Sequence, residues 1–193
     1  MTRKLILLRH GKTGFAGQYI GAKDVSLSAD GYREIASLKQ IFQDQQIDQI
    51  LSSPMLRCRE STEILFADHP VNYDDDLREI DFGRWEGLSF QEIATSDPEL
   101  VSNWAVWSPE FCFPEGECIA HFLKRVHRAG LRINESTDEN IILIAHGGVI
   151  RALLCYLLNL KPENYLLFQV KKGKYATLDL FSEGAVLTGF NLG

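Results

Sequence analysis

Two stretches of the chain share one design. In each, a run of apolar residues ends in His-Gly: Leu5-Ile6-Leu7-Leu8 leads into Arg9-His10-Gly11, and Ile141-Ile142-Leu143-Ile144-Ala145 leads into His146-Gly147-Gly148. Short apolar runs of this kind read as buried strands. Open α/β sheets bind ligands outside the C-terminal ends of their strands. The two histidines therefore point to one pocket, with Arg9 beside them. A neutral imidazole is a nucleophile near pH 7 and can take a phosphoryl group. The guanidinium groups of Arg9 and Arg57 match phosphate oxygens with parallel charge-assisted bonds. A second imidazole, if protonated, would stabilise charge on the transferring oxygens. Glycines at 11, 14, 17 and 21 free backbone N–H groups to face an anion. The leaving alcohol then needs a proton, which a carboxylic acid beside bound phosphate can supply. The residues alone nominate Glu79, Asp81 or Glu86.

The elements that must hold these groups alternate between strand and helix. After the first strand comes a glycine-bearing loop, then a helix capped by Ser28 and running to about Phe42, with Ile35, Leu38 and Ile41 or Phe42 on one face. Residues 47–51 read as a strand. Ser52-Ser53-Pro54 reads as a serine cap and early proline opening a helix to about Ala67 that carries Arg57. Val71–Tyr73 reads as another strand, and Asp74-Asp75-Asp76 as an exposed acidic turn. Residues 77–118, with Trp85, Trp104 and Trp107, read as a covering segment of short helices and loops, too broken for its own core. A helix from Glu115 to about Asn134, the strand at 141–145 and a helix to Leu158 follow. The tail is punctuated into short strands at 166–171, 175–180 and 186–190. The expected fold is an α/β three-layer sandwich in one domain over 1–193, with a mixed, mostly parallel sheet and helices on both faces.

Composition narrows the partners. Twenty basic residues stand against 26 acidic ones, a formal net charge of −6. No general nucleic-acid or anionic-membrane surface is expected. The N-terminal apolar run stops at Arg9, short of a signal segment or a membrane span, so the cytoplasm is the expected location. The four cysteines, 58, 112, 118 and 155, make no CxxC pair, and no metal site is expected.

Four motifs in order make the chain similar to the histidine phosphatase superfamily, also called phosphoglycerate mutase-like. They are Arg9-His10-Gly11; Ser53 to Thr62 with Arg57; Leu77-Arg78-Glu79 with Gly83-Arg84-Trp85-Glu86-Gly87; and His146-Gly147. The resemblance implies that His10 is the nucleophile that becomes phosphohistidine. It implies that Arg9, Arg57 and His146 bind phosphate, with Thr13 and Gly147 beside them. It makes Glu79 the proton donor and then the base that activates water, so that the catalytic set is His10, Glu79 and His146. No metal and no cofactor are implied. The expected partner is a small phosphorylated metabolite, with a homodimer as an option. The chain departs from the family at Lys12, where Glu or Gln is common, at Phe15-Ala16, where Trp-Asn is common, and at Gln18, where Arg is common. Leu77–Gly87 and Phe113–Glu117 look most like the α-ribazole phosphatases of cobalamin biosynthesis. The implied reaction is hydrolysis of a small phosphate monoester, with α-ribazole 5′-phosphate a candidate. The alternatives are a non-catalytic binder of phosphorylated ligands and phosphoglycerate mutase activity.

Overall fold

The computed structural model describes residues 2–193. In chain order its elements are β1 (Arg3–Arg9), α1 (Ala29–Ala36), α2 (Lys39–Gln43), β2 (Gln49–Ser52), α3 (Leu56–Phe66), β3 (Asn72–Tyr73), α4 (Phe90–Ser96), α5 (Pro98–Ala105), α6 (Ile119–Glu135), β4 (Asn140–Ala145), α7 (Gly147–Leu157), β5 (Tyr175–Phe181) and β6 (Gly184–Leu192). They build one sheet in the order β3-β2-β4-β1-β5-β6. The first four strands of that order run parallel, and β5 and β6 pair antiparallel at one edge. This is the expected mixed sheet.

Strand residues alternate between two cores. Leu5, Leu7, Ile141, Leu143 and Ala145 face α6 and α7, packing on Phe122, Val126, Ile133, Val149, Ile150 and Leu153. Leu8, Ile50, Ile142 and Ile144 face α1 to α3, packing on Ile35, Leu38, Phe42, Cys58 and Phe66. The apolar runs that read as strands are therefore buried on both faces, as parallel sheets require. The pairing Leu8↔Ile144 and Arg9↔Ala145 sets β1 and β4 side by side in register. His10 and His146 thus leave the sheet at the same edge, one residue beyond each strand.

Several expected elements differ. The helix expected from Ser28 to Phe42 is broken: Ser28 does cap α1, its side chain accepting from the Gly31 N–H, but α1 ends at Ala36. The Leu38 N–H donates to Ile35 O at 3.0 Å, a tightened turn ahead of α2, and Leu38 and Phe42 are both buried. The serine cap expected for α3 is also corrected. The helix starts at Leu56, whose N–H donates at 2.7 Å to Asp24 Oδ1 from the glycine-bearing loop. The three aspartates are not simply an exposed acidic turn, since Asp74 and Asp76 pair with Arg128 and Arg132 of α6. The strand expected at 166–171 is absent. Residues 162–167 form a 3-10 helix with Leu166 and Leu167 exposed.

The covering segment (77–118) holds α4 and α5 against the α6–α7 face. Trp85 is its fully buried anchor, and its Nε1–H donates to Asp97 at 2.7 Å. Cys112 and Cys118, which the sequence reading left unpaired, form a disulfide across an antiparallel bridge. The turn Pro114-Glu115-Gly116 between them brings the sulfurs together. Such bonds persist in oxidising compartments and are rare in the cytosol of mesophiles. No helix of the described residues is long and apolar enough to cross a membrane.

Candidate active site

His10 sits at the sheet edge, 5% exposed. Its backbone N–H donates to Ala145 O at 3.1 Å, which ties the loop after β1 to β4. Its Nδ1 lies 2.8 Å from Gly11 O. A carbonyl only accepts, so Nδ1 carries the proton and Nε2 keeps its lone pair. Burial, followed by the charges of Arg9 and Arg57, holds the imidazole well below its ordinary pKa. The ring is therefore neutral and nucleophilic at neutral pH.

His146 lies beside it, with ring centroids 5.1 Å apart in an edge-on arrangement. Its Nδ1 accepts from Arg57 Nε at 3.1 Å, and its Nε2 lies 2.8 Å from Ser53 Oγ. An imidazole that accepts at Nδ1 is neutral. Burial, then Arg57, pushes its pKa well below the ordinary value. The condition that the second histidine be protonated is thus not met here: His146 is an uncharged brace that fixes Arg57. Cys58 Sγ approaches the same ring at 3.5 Å, but burial pushes its thiol up to about 12. It is a buried thiol and no nucleophile.

Arg57 is almost fully buried. Nη1 donates to Lys23 O at 3.0 Å and Nη2 to Gly21 O at 2.8 Å. Nη2 also donates to Met55 Sδ at 3.5 Å, so with Nε on His146 four of its five N–H groups are committed and one, on Nη1, is left for an anion. Arg9 spends Nη1 on Val170 O at 2.7 Å, and its buried Nε–H has no partner. An orphaned buried donor on a cation calls for an acceptor in the pocket. Gly147 lies flat against this guanidinium, where a Cβ would come within 3.1 Å of Cζ.

Glu79 is held by the start of α7. Its Oε2 accepts from the Gly148 N–H at 3.0 Å and its Oε1 from the Ile80 N–H at 3.1 Å. Each oxygen keeps a further lone pair for a proton. A Cβ at Gly148 would fall 2.4 Å from Oε1, so only glycine admits this approach. Arg125 of α6 fixes the backbone behind it, donating to Glu79 O at 3.0 Å.

The structure separates the other two nominated acids from this role. Asp81 caps its own loop, accepting from the Gly83 N–H at 2.8 Å. Glu86 accepts from the backbone N–H groups of Gly21, Ala22 and Phe82 at 2.8–3.1 Å and from that of Lys23 at 3.3 Å. It therefore holds the two residues whose carbonyls hold Arg57. We expect Glu86→Gln to turn an amide N–H toward those donors and let residues 21–23 drift. A drift of about 1 Å in such a clamp costs roughly 10²-fold in rate. Steady-state phosphate release from the purified variant is the check, and wild-type kcat/KM would remove this role from Glu86.

Two remaining expectations divide. Thr13 is buried and bridged to Leu27, and its hydroxyl makes no hydrogen bond among the described residues. Lys12 points away: its Nζ pairs with Glu34 at 3.4 Å on α1. The sequence reading missed Ser53 as a site residue, although it opens the second motif. It also missed a cavity of about 360 Å³ that runs from Arg9 and Glu79 to Trp104, Trp107, Tyr165 and Arg151.

A neutral imidazole with a free lone pair, two arginines with uncommitted donors and a carboxylate at one sheet edge define a site for phosphoryl transfer. The chain belongs to the histidine phosphatase superfamily (branch 1), whose family model matches residues 5–193. It is 28% identical to an adenosylcobalamin/alpha-ribazole phosphatase of Escherichia coli (strain K12), over 97% of this chain and 95% of that one. Its fold matches the crystal structure of the alpha-ribazole phosphatase from Shigella flexneri with a TM-score of 0.90 at 28% identity, covering 98% of each chain. It matches a phosphoserine phosphatase mutant from Entamoeba histolytica, in complex with phosphoserine, with a TM-score of 0.85 at 27% identity, covering 97% of this chain and 96% of that one. The protein is a phosphatase with the phosphoglycerate mutase-like fold, and its reaction is phosphoester hydrolysis.

Proposed function

We propose that this phosphatase hydrolyses small phosphate monoesters whose alcohol carries a flat aromatic body, with α-ribazole 5′-phosphate the leading candidate. The observation that carries the specificity is the cavity beside Glu79, which Trp104, Trp107, Tyr165 and Phe113 line. Aromatic walls of this kind suit a stacked ring. The relatives named for α-ribazole support the same choice.

In the reaction, Arg9 and Arg57 fix the phosphoryl oxygens and His10 Nε2 attacks phosphorus in line. The bond to the alcohol oxygen breaks as N–P forms. Glu79, entering protonated, passes its proton to the departing oxygen. Water then enters the vacated side and gives a proton to the Glu79 carboxylate as it attacks phosphohistidine. Inorganic phosphate leaves and His10 is restored. The braced arginines contribute fixed charge where negative charge accumulates.

Glu79 thus has two roles, and only the first, as acid in phosphoryl transfer to His10, depends on the leaving group. In kcat/KM, which reads the reaction only as far as phosphohistidine, Glu79→Gln should slow alkyl phosphates roughly 10²-fold or more, and 4-nitrophenyl phosphate far less. Phosphate release across a panel of α-ribazole 5′-phosphate, phosphoserine, phosphoglycerates, sugar phosphates and nucleotides tests both parts. An equal loss on every leaving group would remove the acid role. Turnover of α-ribazole phosphate no better than that of sugar phosphates would remove the aromatic specificity.

A further inference from the structure

The cavity beside Glu79 holds one cation that the reaction above does not use. Arg151 lies on α7, four residues after Gly147 and so on the same helix face, about 6 Å further along the axis. Gly147 packs on Arg9, so this face looks into the site. Arg151 Nε donates to Phe168 O at 2.8 Å, which fixes the plane of the guanidinium. Its Nη1 and Nη2 make no hydrogen bond or ion pair among the described residues. Around it stand Trp107 and Tyr165, tilted with ring centroids 5.3 Å apart, and Trp104. Tyr165 and Trp107 are half-buried, and burial raises the Tyr165 phenol above its ordinary pKa. A planar cation with two free nitrogens in such a setting is matched by an oxygen acceptor, best by one that takes two parallel bonds.

Resting on the phosphatase reading, we infer that Arg151 is a specificity-determining residue that binds an oxygen acceptor on the leaving alcohol, remote from the ester oxygen. A pair of ribose hydroxyls and a carboxylate both supply that chemistry. The distance suits either, since Arg151 is one helical turn past the point where Glu79 meets the leaving oxygen. The phosphate end of the substrate does not require it, because Arg9 and Arg57 already serve there.

The test uses two matched pairs of substrates and reads the ratio within each pair. One pair is α-ribazole 5′-phosphate and its 2′,3′-dideoxy analogue. The other is 3-carboxybenzyl phosphate and 3-methylbenzyl phosphate. The wild type should favour the oxygen-bearing member of at least one pair by roughly tenfold or more in kcat/KM, mainly through KM. The pair that shows it identifies the source of the acceptor. Arg151→Met should collapse that ratio toward one, and Arg151→Lys should keep part of it. A role limited to anchoring Phe168 would lower both members together and leave the ratio intact. That result, or a wild type without preference in either pair, would overturn the inference. Failure of the phosphatase reading is distinct: the wild type would then release no phosphate from any of the four compounds.

Discussion

His10→Ala should remove turnover, by roughly 10⁴-fold or more, and leave both the fold and phosphate binding in place. The fold survives because the imidazole makes a single hydrogen bond, to Gly11 O, while the structural tie to β4 runs through the His10 backbone N–H, which alanine keeps. Binding survives because the anion is held by Arg9 and Arg57. Both arginines are positioned by groups other than His10: Val170 O in one case, and His146, Lys23 O and Gly21 O in the other. Titration calorimetry with inorganic phosphate should therefore give nearly the same affinity for the two proteins. Peptide mass spectrometry of wild-type enzyme caught during turnover should find the phosphoryl group on the peptide holding His10. A folded wild type that binds phosphate without turning over any monoester would instead mark a binding protein on this fold. Turnover in His10→Ala near the wild-type rate would assign the nucleophile elsewhere, and no other imidazole with a free lone pair faces Arg9 and Arg57 among the described residues.

The sequence exposes this site unevenly, for physical reasons. The strand ends were legible because a two-sided core demands unbroken apolar runs, and the polar residue that ends each run must lie at the sheet edge. His10, Arg9 and His146 follow directly. Roles that depend on where a side chain turns after the edge were not legible. Glu86 and Glu79 stand in the same loop as equivalent carboxylates, and only the folded chain aims one at residues 21–23 and the other at the α7 N-terminus. The charge of His146 was left open because adjacency to phosphate argues for a cation and the sequence does not show its partner, whereas acceptance from Arg57 Nε requires a neutral ring. The strand expected at 166–171 failed because Pro162 starts a tight helical turn and Leu166 and Leu167 have no facing strand to bury them. The break at Ser37 left no mark in the apolar spacing, because Ile35, Leu38 and Phe42 would share one face of an unbroken helix too.

Acidification should destabilise the folded protein steeply in a window where carboxylates contribute little. His10 and His146 both have folded-state pKa values pushed well below 6.5, first by burial. For His10 the next causes are Arg9 and Arg57, with Lys172 adding a smaller push, and for His146 they are Arg57, His10 and Arg9. Both titrate near 6.5 once unfolded. Above that pH neither state binds extra protons, and stability is flat. As pH falls below it, the unfolded chain binds protons that the folded chain refuses, so the unfolded state gains. The loss approaches about 1.4 kcal/mol per pH unit for each imidazole, or about 2.7 kcal/mol per unit for the pair, until the folded rings themselves titrate. Against a typical domain stability of roughly 5–15 kcal/mol this is a large effect. Urea unfolding in phosphate-free buffers from about pH 7 to about pH 5 measures it. His10→Asn should bring the slope down to about half, because one of the two proton acceptors is gone. A stability that stays flat to about pH 5 would mean that both folded rings accept protons as readily as free ones. His10 would then be cationic in weak acid and unable to attack. The stability slope and the acid limb of kcat/KM are thus two readings of the same desolvated imidazole, and both should lie on the acid side of the ordinary histidine range.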